Sequence, residues 1–239
     1  MAELFDFTIK RGASGGFSAF GAAHAAWLTL LLAAGVLICR TYKRADKIAR
    51  RCMRHGIALT ALGIELLRAI LLFAAGEYDI GRLPLHLCAI AVYICALHAW
   101  RGGTLTGQFL YAFCMPGASF ALLFPDWGYY PALHFMSASS FIIHGLIVAY
   151  VVMQVLAGDI LPDVRKCPQC LGLMLALALP VYIFDRITGT NYMFLNWPSP
   201  GSPLEWFAFL GRPGFVLGYL PIAAAVWAVI YFPFRRSTP

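Results

Sequence analysis

The sequence predicts an all-α, polytopic membrane protein folded as a bundle of seven transmembrane helices. Of its 239 residues, 61% are apolar and only 12% are charged, whereas soluble domains have about half apolar and a quarter charged residues. The chain contains seven apolar stretches of roughly 20 residues, the length that crosses a hydrocarbon core of about 30 Å. No linker, repeat or low-complexity tract divides it. We therefore expect a single transmembrane domain over residues 1–239.

Charges and proline delimit the first three predicted spans. The first ends where a basic run begins at Arg40, and the second lies between that run and Glu77. The third covers residues 83–100, with Pro84 at its start and Arg101 directly after it. Such residues mark where a helix ends or leaves lipid. The seven predicted spans cover residues 17–39, 56–76, 83–100, 104–124, 132–156, 168–188 and 213–233.

Glycine and proline delimit most of the remaining spans. The fourth begins after Gly103 and ends before Pro125, and the fifth begins after Pro131. The sixth ends at Gly189, a residue type that favours the end of a helix. The seventh follows Arg212. These boundaries leave the loop between the sixth and seventh spans as the longest.

The distribution of basic residues predicts the orientation in the membrane. Seven lysines and arginines lie between the first two spans, and alternation from there puts 12 on that side and 4 on the other. Because cytoplasmic loops carry the excess of positive charge, we expect the N terminus outside and the C terminus in the cytoplasm. The seven basic residues are Arg40, Lys43, Arg44, Lys47, Arg50, Arg51 and Arg54.

The net charge of +7 does not indicate nucleic acid as a partner. A basic cytoplasmic segment beside a membrane is suited to anionic lipid headgroups. A retinal protein is also excluded, because none of the four lysines lies in a predicted span. The partners that we expect are membrane lipids, and the sequence leaves the oligomeric state open.

Ionisable groups inside a span are costly and usually face the bundle interior. Glu65 and Arg68 lie three residues apart in the second span, so they share a helix face and can form an ion pair. This pair is a candidate substrate-binding group. The alternative is a structural clamp between helices.

Three histidines fall on three different spans, at His24, His86 and His144. An imidazole can transfer protons near neutral pH, activate a nucleophile or bind a metal, although a lone buried histidine is more often hydrogen-bonded packing. Cys88 lies two residues from His86, which in a helix separates them by about 200°. Only one of the two would then face a site, and a reactive Cys88 would need His24 or His144 as its base.

The end of the sixth span is rich in donors and acceptors. Asp185 and Arg186 are followed closely by Asn191 and Tyr192. These residues are candidates for binding a phospholipid headgroup, with Asp185 orienting a histidine. A hydrogen-bond cluster that only ends the helix is the alternative.

Four segments carry a family resemblance by their order and spacing: Phe17-Ser-Ala-Phe-Gly-Ala-Ala-His24, Leu83-Pro-Leu-His86-Leu-Cys88, His144-Gly145 and Gly189-Thr-Asn-Tyr-Met-Phe-Leu195. Together they resemble the YwaF-like family of bacterial integral membrane proteins, which implies a multi-pass protein of the bacterial cytoplasmic (inner) membrane. That family is similar to eukaryotic transmembrane acyltransferases that place polyunsaturated acyl chains on ether phospholipids. The resemblance therefore implies membrane acyl transfer.

The sequence departs from those acyltransferases at one place. Their Pro-Cys-His motif has a cysteine directly before the histidine, where this chain has Leu85. The departure argues against a cysteine acyl-enzyme and favours a mechanism based on histidine.

The leading functional hypothesis is a lipid acyltransferase or acyl hydrolase that acts from the extracytoplasmic side without a cofactor or metal. His86 would serve as general base or acyl acceptor and His144 would assist proton transfer, while Arg68, Asn191 or Tyr192 would stabilise an oxyanion. The alternative is a small-solute or lipid transporter, or a ligand-binding protein, without catalysis. A third hypothesis, a metal site formed by the three histidines, requires them to converge.

Overall fold

The computed structural model describes residues 2–10 and 15–234, which form an all-helical chain without a strand among them. The predicted all-α fold class is confirmed, whereas seven transmembrane helices and the orientation of the termini stay predictions. Short 3-10 turns connect the longer elements. The α-helices are α1 (Ala22–Arg44), α2 (Lys47–Ala74), α3 (Leu87–Arg101), α4 (Thr104–Phe109), α5 (Met115–Leu123), α6 (Phe135–Leu156), α7 (Cys167–Thr188), α8 (Gly211–Gly214) and α9 (Tyr219–Tyr231).

Five helical segments in the described part of the chain are long and apolar enough to cross a membrane. The protein is therefore a multi-pass membrane protein. The third predicted span corresponds to α3, a shorter apolar helix, and the fourth is divided between α4 and α5. The five segments are Ala22–Arg44, Lys47–Ala74, Phe135–Leu156, Val164–Thr188 and Pro203–Phe234.

Helix α6 is the centre of the bundle. In its most apolar part 61% of the residues are buried, compared with 6% in α1. α1 packs closely along α6, and a side chain at Gly145 would come 2.7 Å from Leu31 Cδ2. Large apolar side chains such as Leu32 and Ile187 point outward from the bundle, as expected of helices that face lipid.

The basic segment between the first two predicted spans is helical, not a loop. α1 continues to Arg44, and α2 begins at Lys47 after the N-cap Asp46, whose side chain accepts from the Ala49 N–H at 2.8 Å. Lysine and arginine are good helix formers. The helices therefore continue through the charged turns, although these turns lie outside the lipid.

Asp159 connects this basic hairpin to the end of α6. Its carboxylate accepts a hydrogen bond from Tyr42 Oη at 2.5 Å. The same carboxylate forms ion pairs with Arg50 at 3.2 Å and Arg54 at 3.5 Å. One acidic group thus anchors three side chains of the hairpin.

The predicted orientation is testable with the natural Cys52, an exposed thiol on the basic hairpin. We expect a membrane-impermeant maleimide to label Cys52 only after the cells are permeabilised. A Cys52→Ser variant with Pro200→Cys in the opposite, exposed loop should be labelled in intact cells. Labelling of Cys52 in intact cells would overturn the orientation.

Non-helical backbone occurs inside the bundle where α3 begins. With 15 residues α3 is about 22 Å long, shorter than a hydrocarbon core of about 30 Å. The preceding residues 83–86 are outside the helix, although the sequence predicted a span from residue 83. The chain turns tightly around Pro84, where the Leu85 N–H donates to the Leu83 carbonyl at 2.8 Å, and His86 (φ −66°, ψ 146°) is the N-cap. Such backbone is tolerated at membrane depth only when it is buried in protein or lines a cavity.

A second irregularity interrupts the predicted fourth span. Between α4 and α5 the chain forms a π-helix over Leu110–Cys114. π-Helical turns are rare and often occur at functional sites. Ala112 and Phe113 of this turn line the cavity described below.

Candidate active site

One large cavity lies at the end of the bundle where α2 ends and where α3 and α6 begin. Its volume is about 1270 Å³, larger than the roughly 300–1,000 Å³ of sites for drug-sized ligands. Most of its walls are apolar, with a few polar groups among them. Its polar side chains from the helices and the N-cap of α3 include Glu65, Arg68, His86, Cys88, Ser140 and His144.

The first cavity histidine, His86, is oriented by a distant segment. Its Nδ1 accepts a hydrogen bond from the Met193 N–H at 3.2 Å, and its ring packs edge-on against Tyr192 with centroids 5.0 Å apart. Because Nδ1 is an acceptor, the neutral ring carries its proton on Nε2. The Nε2–H of His86 is thus the hydrogen-bond donor of this ring.

The second cavity histidine, His144, has the opposite tautomer. Its Nδ1–H donates to the Ser140 carbonyl oxygen at 2.6 Å, which leaves the lone pair on Nε2. This nitrogen makes no hydrogen bond to another described residue. The ring stacks on Trp127 with centroids 4.9 Å apart and an interplanar angle of 22°. A neutral imidazole with a free lone pair in a cavity is suited to act as a base.

The third histidine is used for packing. His24 is fully buried and does not line the cavity. Its Nδ1 accepts from the Phe20 N–H at 2.8 Å, and its Nε2–H donates to the Leu122 carbonyl at 2.7 Å. Both nitrogens are therefore occupied by backbone groups. No three His, Cys, Asp or Glu side chains of the described residues are placed to hold a metal ion, so the three-histidine metal hypothesis is wrong.

Cys88 also lines the cavity, as His86 does. The expectation that only one of them faces the site is wrong, because His86 precedes the helix and the helical angle between them does not apply. Cys88 forms no hydrogen bond with His24 or His144 among the described contacts. The structure thus provides no base in contact with its thiol.

The predicted ion pair in α2 is confirmed. Arg68 Nη1 lies 3.2 Å from Glu65 Oε2, and both residues line the cavity. The Nε–H of Arg68 is buried without an acceptor. The guanidinium is also close enough to His144 for an electrostatic interaction. The ion pair thus provides a cation, Arg68, that interacts with the base His144 and still has an N–H group without an acceptor.

Asp185 orients His86 indirectly, not through a contact with its ring. Its buried Oδ1 accepts from Thr190 Oγ1 at 2.6 Å and from the Tyr192 N–H at 3.0 Å. The segment thus anchored supplies the Met193 N–H that binds His86. The second oxygen, Oδ2, is buried without a partner. Asp185 therefore shapes the backbone that holds the histidine.

Three other residues that the sequence predicted to bind substrate, Tyr192, Asn191 and Arg186, lie outside the cavity lining. Tyr192 Oη donates to the Ile80 carbonyl at 2.6 Å and accepts from the Leu83 N–H at 2.8 Å. Burial raises the pKa of this phenol to about 12, so it remains a donor. The Asn191 side chain bonds to backbone groups of the same loop. Arg186 is exposed and lies outside the cavity lining.

Backbone strain is concentrated next to His86. Met193 and Phe194 have φ values of 51° and 53°, in the left-handed region that costs about 1–3 kcal/mol for residues other than glycine. Met193 is held there by its N–H to His86 and by Tyr219 Oη, which donates to its carbonyl at 2.8 Å. Nothing in this sequence segment predicted the strain.

The loop end of the cavity carries charges of both signs. Lys10 and Arg82 line it together with Glu77 and Asp79. Arg82 Nη2 donates to Tyr130 Oη at 3.4 Å. The cavity therefore combines an apolar interior with a rim that is both cationic and anionic.

Comparison with known proteins places the chain in a family. The model of the TMEM164 family matches residues 19–231, which is most of the chain. Neither the curated proteins nor the solved structures contain a match. The matched region includes every cavity residue from α2 to α9. The chain belongs to the TMEM164 family.

Proposed function

We propose that this protein binds a phospholipid or lysophospholipid in its cavity and catalyses transfer or hydrolysis of the acyl chain. The observation that carries the proposal is a large, mostly apolar cavity lined by two histidines in opposite tautomers, one of which, His144, interacts with the Arg68 cation. An apolar interior accepts acyl chains. The histidines and Arg68 supply a base and donors where an ester would lie.

His144 is the general base in this proposal, in place of His86. Its Nε2 removes the proton from a lysophospholipid hydroxyl, or from water, as that oxygen attacks the ester carbonyl. The tetrahedral oxyanion is stabilised by donors that include Arg68 and the Nε2–H of His86. Collapse breaks the ester C–O bond, and the leaving oxygen takes the proton from His144. No covalent step uses Cys88, in agreement with Leu85 in place of the acyltransferase cysteine.

The charges at the rim suggest which headgroups bind. Lys10 and Arg82 suit a phosphate, whereas Glu77 and Asp79 suit an amine. A zwitterionic glycerophospholipid matches both. With the predicted orientation, this lipid enters from the extracytoplasmic leaflet, and the resemblance to YwaF-like proteins supports the bacterial cytoplasmic membrane as the location.

The test is acyl exchange between defined phospholipids and lysophospholipids by purified protein, followed by mass spectrometry. We expect the wild type to change the acyl composition and His86→Ala to lose about 10²-fold in rate, since a donor at the oxyanion is lost. His55→Ala is the matched control, because His55 lies on the basic hairpin and outside the cavity lining. Full turnover by a folded His86→Ala protein would contradict the mechanism.

The carrier hypothesis has its own supporting observation. The cavity is flanked by the π-helical turn Leu110–Cys114 and by α7, which has Pro180 in its interior, and such places often allow helices to bend. A carrier predicts that intact lipid is purified with the protein and moves between liposome leaflets unchanged. The same mass spectra distinguish it from an enzyme.

A further inference from the structure

Trp127 carries an indole N–H that is buried without an acceptor. The residue lies in the loop between α5 and α6 and lines the cavity. Its ring position is well defined, because it stacks on His144 and meets the edge of Phe141 at a centroid distance of 5.3 Å. A buried donor without a partner is unfavourable, and in a native site it needs an explanation, such as a bound water or a catalytic role.

A second residue of the cavity wall carries an unpartnered donor of the same kind. Arg68 Nε–H is also buried without an acceptor, and Arg68 interacts electrostatically with His144. Both donors thus belong to cavity residues that interact with the same base, His144. The two other cavity or near-cavity indoles are different, since Trp227 donates to the Ala112 carbonyl at 2.9 Å and Trp27 to the Ala132 carbonyl at 2.9 Å.

We propose that Trp127 and Arg68 bind the carbonyl oxygen of the lipid ester next to His144, which makes Trp127 a catalytic residue that the sequence analysis did not identify. This inference rests on the proposed acyl chemistry. The two N–H groups donate to the ester oxygen on binding and to the oxyanion after attack. The Trp127 ring face lies against His144, where it stabilises the imidazolium that forms when His144 takes the proton.

In this proposal, different groups of the cavity recognise different parts of the lipid. Charged groups at the rim recognise the headgroup, whereas Trp127 and Arg68 recognise the acyl ester. A lipid with an ester should therefore bind better than its ether analogue, which has no carbonyl oxygen. This preference concerns binding and is measurable whether or not the protein turns the lipid over.

The first experiment compares palmitoyl lysophosphatidylcholine with its hexadecyl ether analogue by titration of purified protein. We expect the wild type to bind the ester about tenfold more tightly than the ether, which is the gain in affinity that a conventional hydrogen bond provides. Trp127→Phe keeps an aromatic ring against His144 but removes one of the two donors, so its preference for the ester should be clearly smaller than that of the wild type. Equal binding by the wild type would overturn the inference.

The second experiment uses Trp27→Phe as the matched control, since it removes an N–H that already has a protein acceptor and Trp27 does not line the cavity. Trp127→Phe should lower kcat by about 10²-fold without lowering Tm, because it deletes an unsatisfied donor. Trp27→Phe should lower Tm and keep kcat. Unchanged kcat in Trp127→Phe overturns the inference and leaves acyl transfer standing. Ester preference without any turnover would reject the proposed activity but retain the carbonyl site.

Discussion

Replacement of His144 by alanine is expected to reduce acyl transfer by about 10²–10⁴-fold, the usual contribution of a general base. The Nδ1–H bond to the Ser140 carbonyl fixes the ring so that Nε2 has the lone pair. Without this nitrogen the attacking hydroxyl keeps its proton. Single-turnover assays with a defined donor and lysophospholipid measure the effect.

The control for this variant is Ile147→Ala, one turn further along α6. Ile147 is buried but does not line the cavity, so its truncation should lower Tm and leave the single-turnover rate within about twofold. Added imidazole should restore part of the activity of His144→Ala. It should not change the activity of Ile147→Ala. A His144→Ala protein that transfers acyl chains at the wild-type rate would require another base.

Replacement of Asp185 by alanine is expected to lower both stability and activity. The fully buried Oδ1 accepts two hydrogen bonds, from Thr190 and from the Tyr192 backbone. Hydrogen bonds to charged groups contribute about 1.5–3 kcal/mol each, so we expect a loss of about 3 kcal/mol in the free energy of unfolding. The strained Met193 would then relax and release His86. Denaturant titration in detergent and the acyl-transfer assay provide the two readouts.

Two further variants test whether the loss in Asp185→Ala is caused by the missing hydrogen bonds to Oδ1. Asp185→Asn keeps an oxygen in the Oδ1 position, so it should retain most of the stability that Asp185→Ala loses. Arg186→Ala changes the next residue, which is exposed, and should alter the free energy of unfolding by less than about 0.5 kcal/mol. If Asp185→Ala were as stable and active as the wild type, the indirect positioning of His86 would be refuted.

Local features of the site were predictable from the sequence. Glu65 and Arg68 form the expected ion pair because residues three apart on one helix are neighbours wherever the helix lies. The apolar stretches likewise predicted a multi-pass helical protein. His86 and His144 were identified as candidates because ionisable side chains in an apolar span are rare.

Features that depend on distant contacts were not predictable. His24, His86 and His144 look alike as isolated polar residues in apolar segments, yet the first is fixed by two backbone groups and the other two line a cavity. Trp127 lies in the loop between the fourth and fifth predicted spans, and aromatic residues are common at any membrane interface. Its position against His144 depends on how the loop after α5 folds over α6.

The sequence by itself thus determined the helical membrane class and the ion pair within α2, since both follow from local composition and helical periodicity. Only the tertiary structure decided which histidine is a base and which is a donor. A histidine's tautomer is set by the group that each nitrogen meets, and for His86 that group is the Met193 N–H, 107 residues away along the chain. The cavity and the unpartnered donors of Trp127 and Arg68 arise in the same way, from side chains that meet only when separate helices pack.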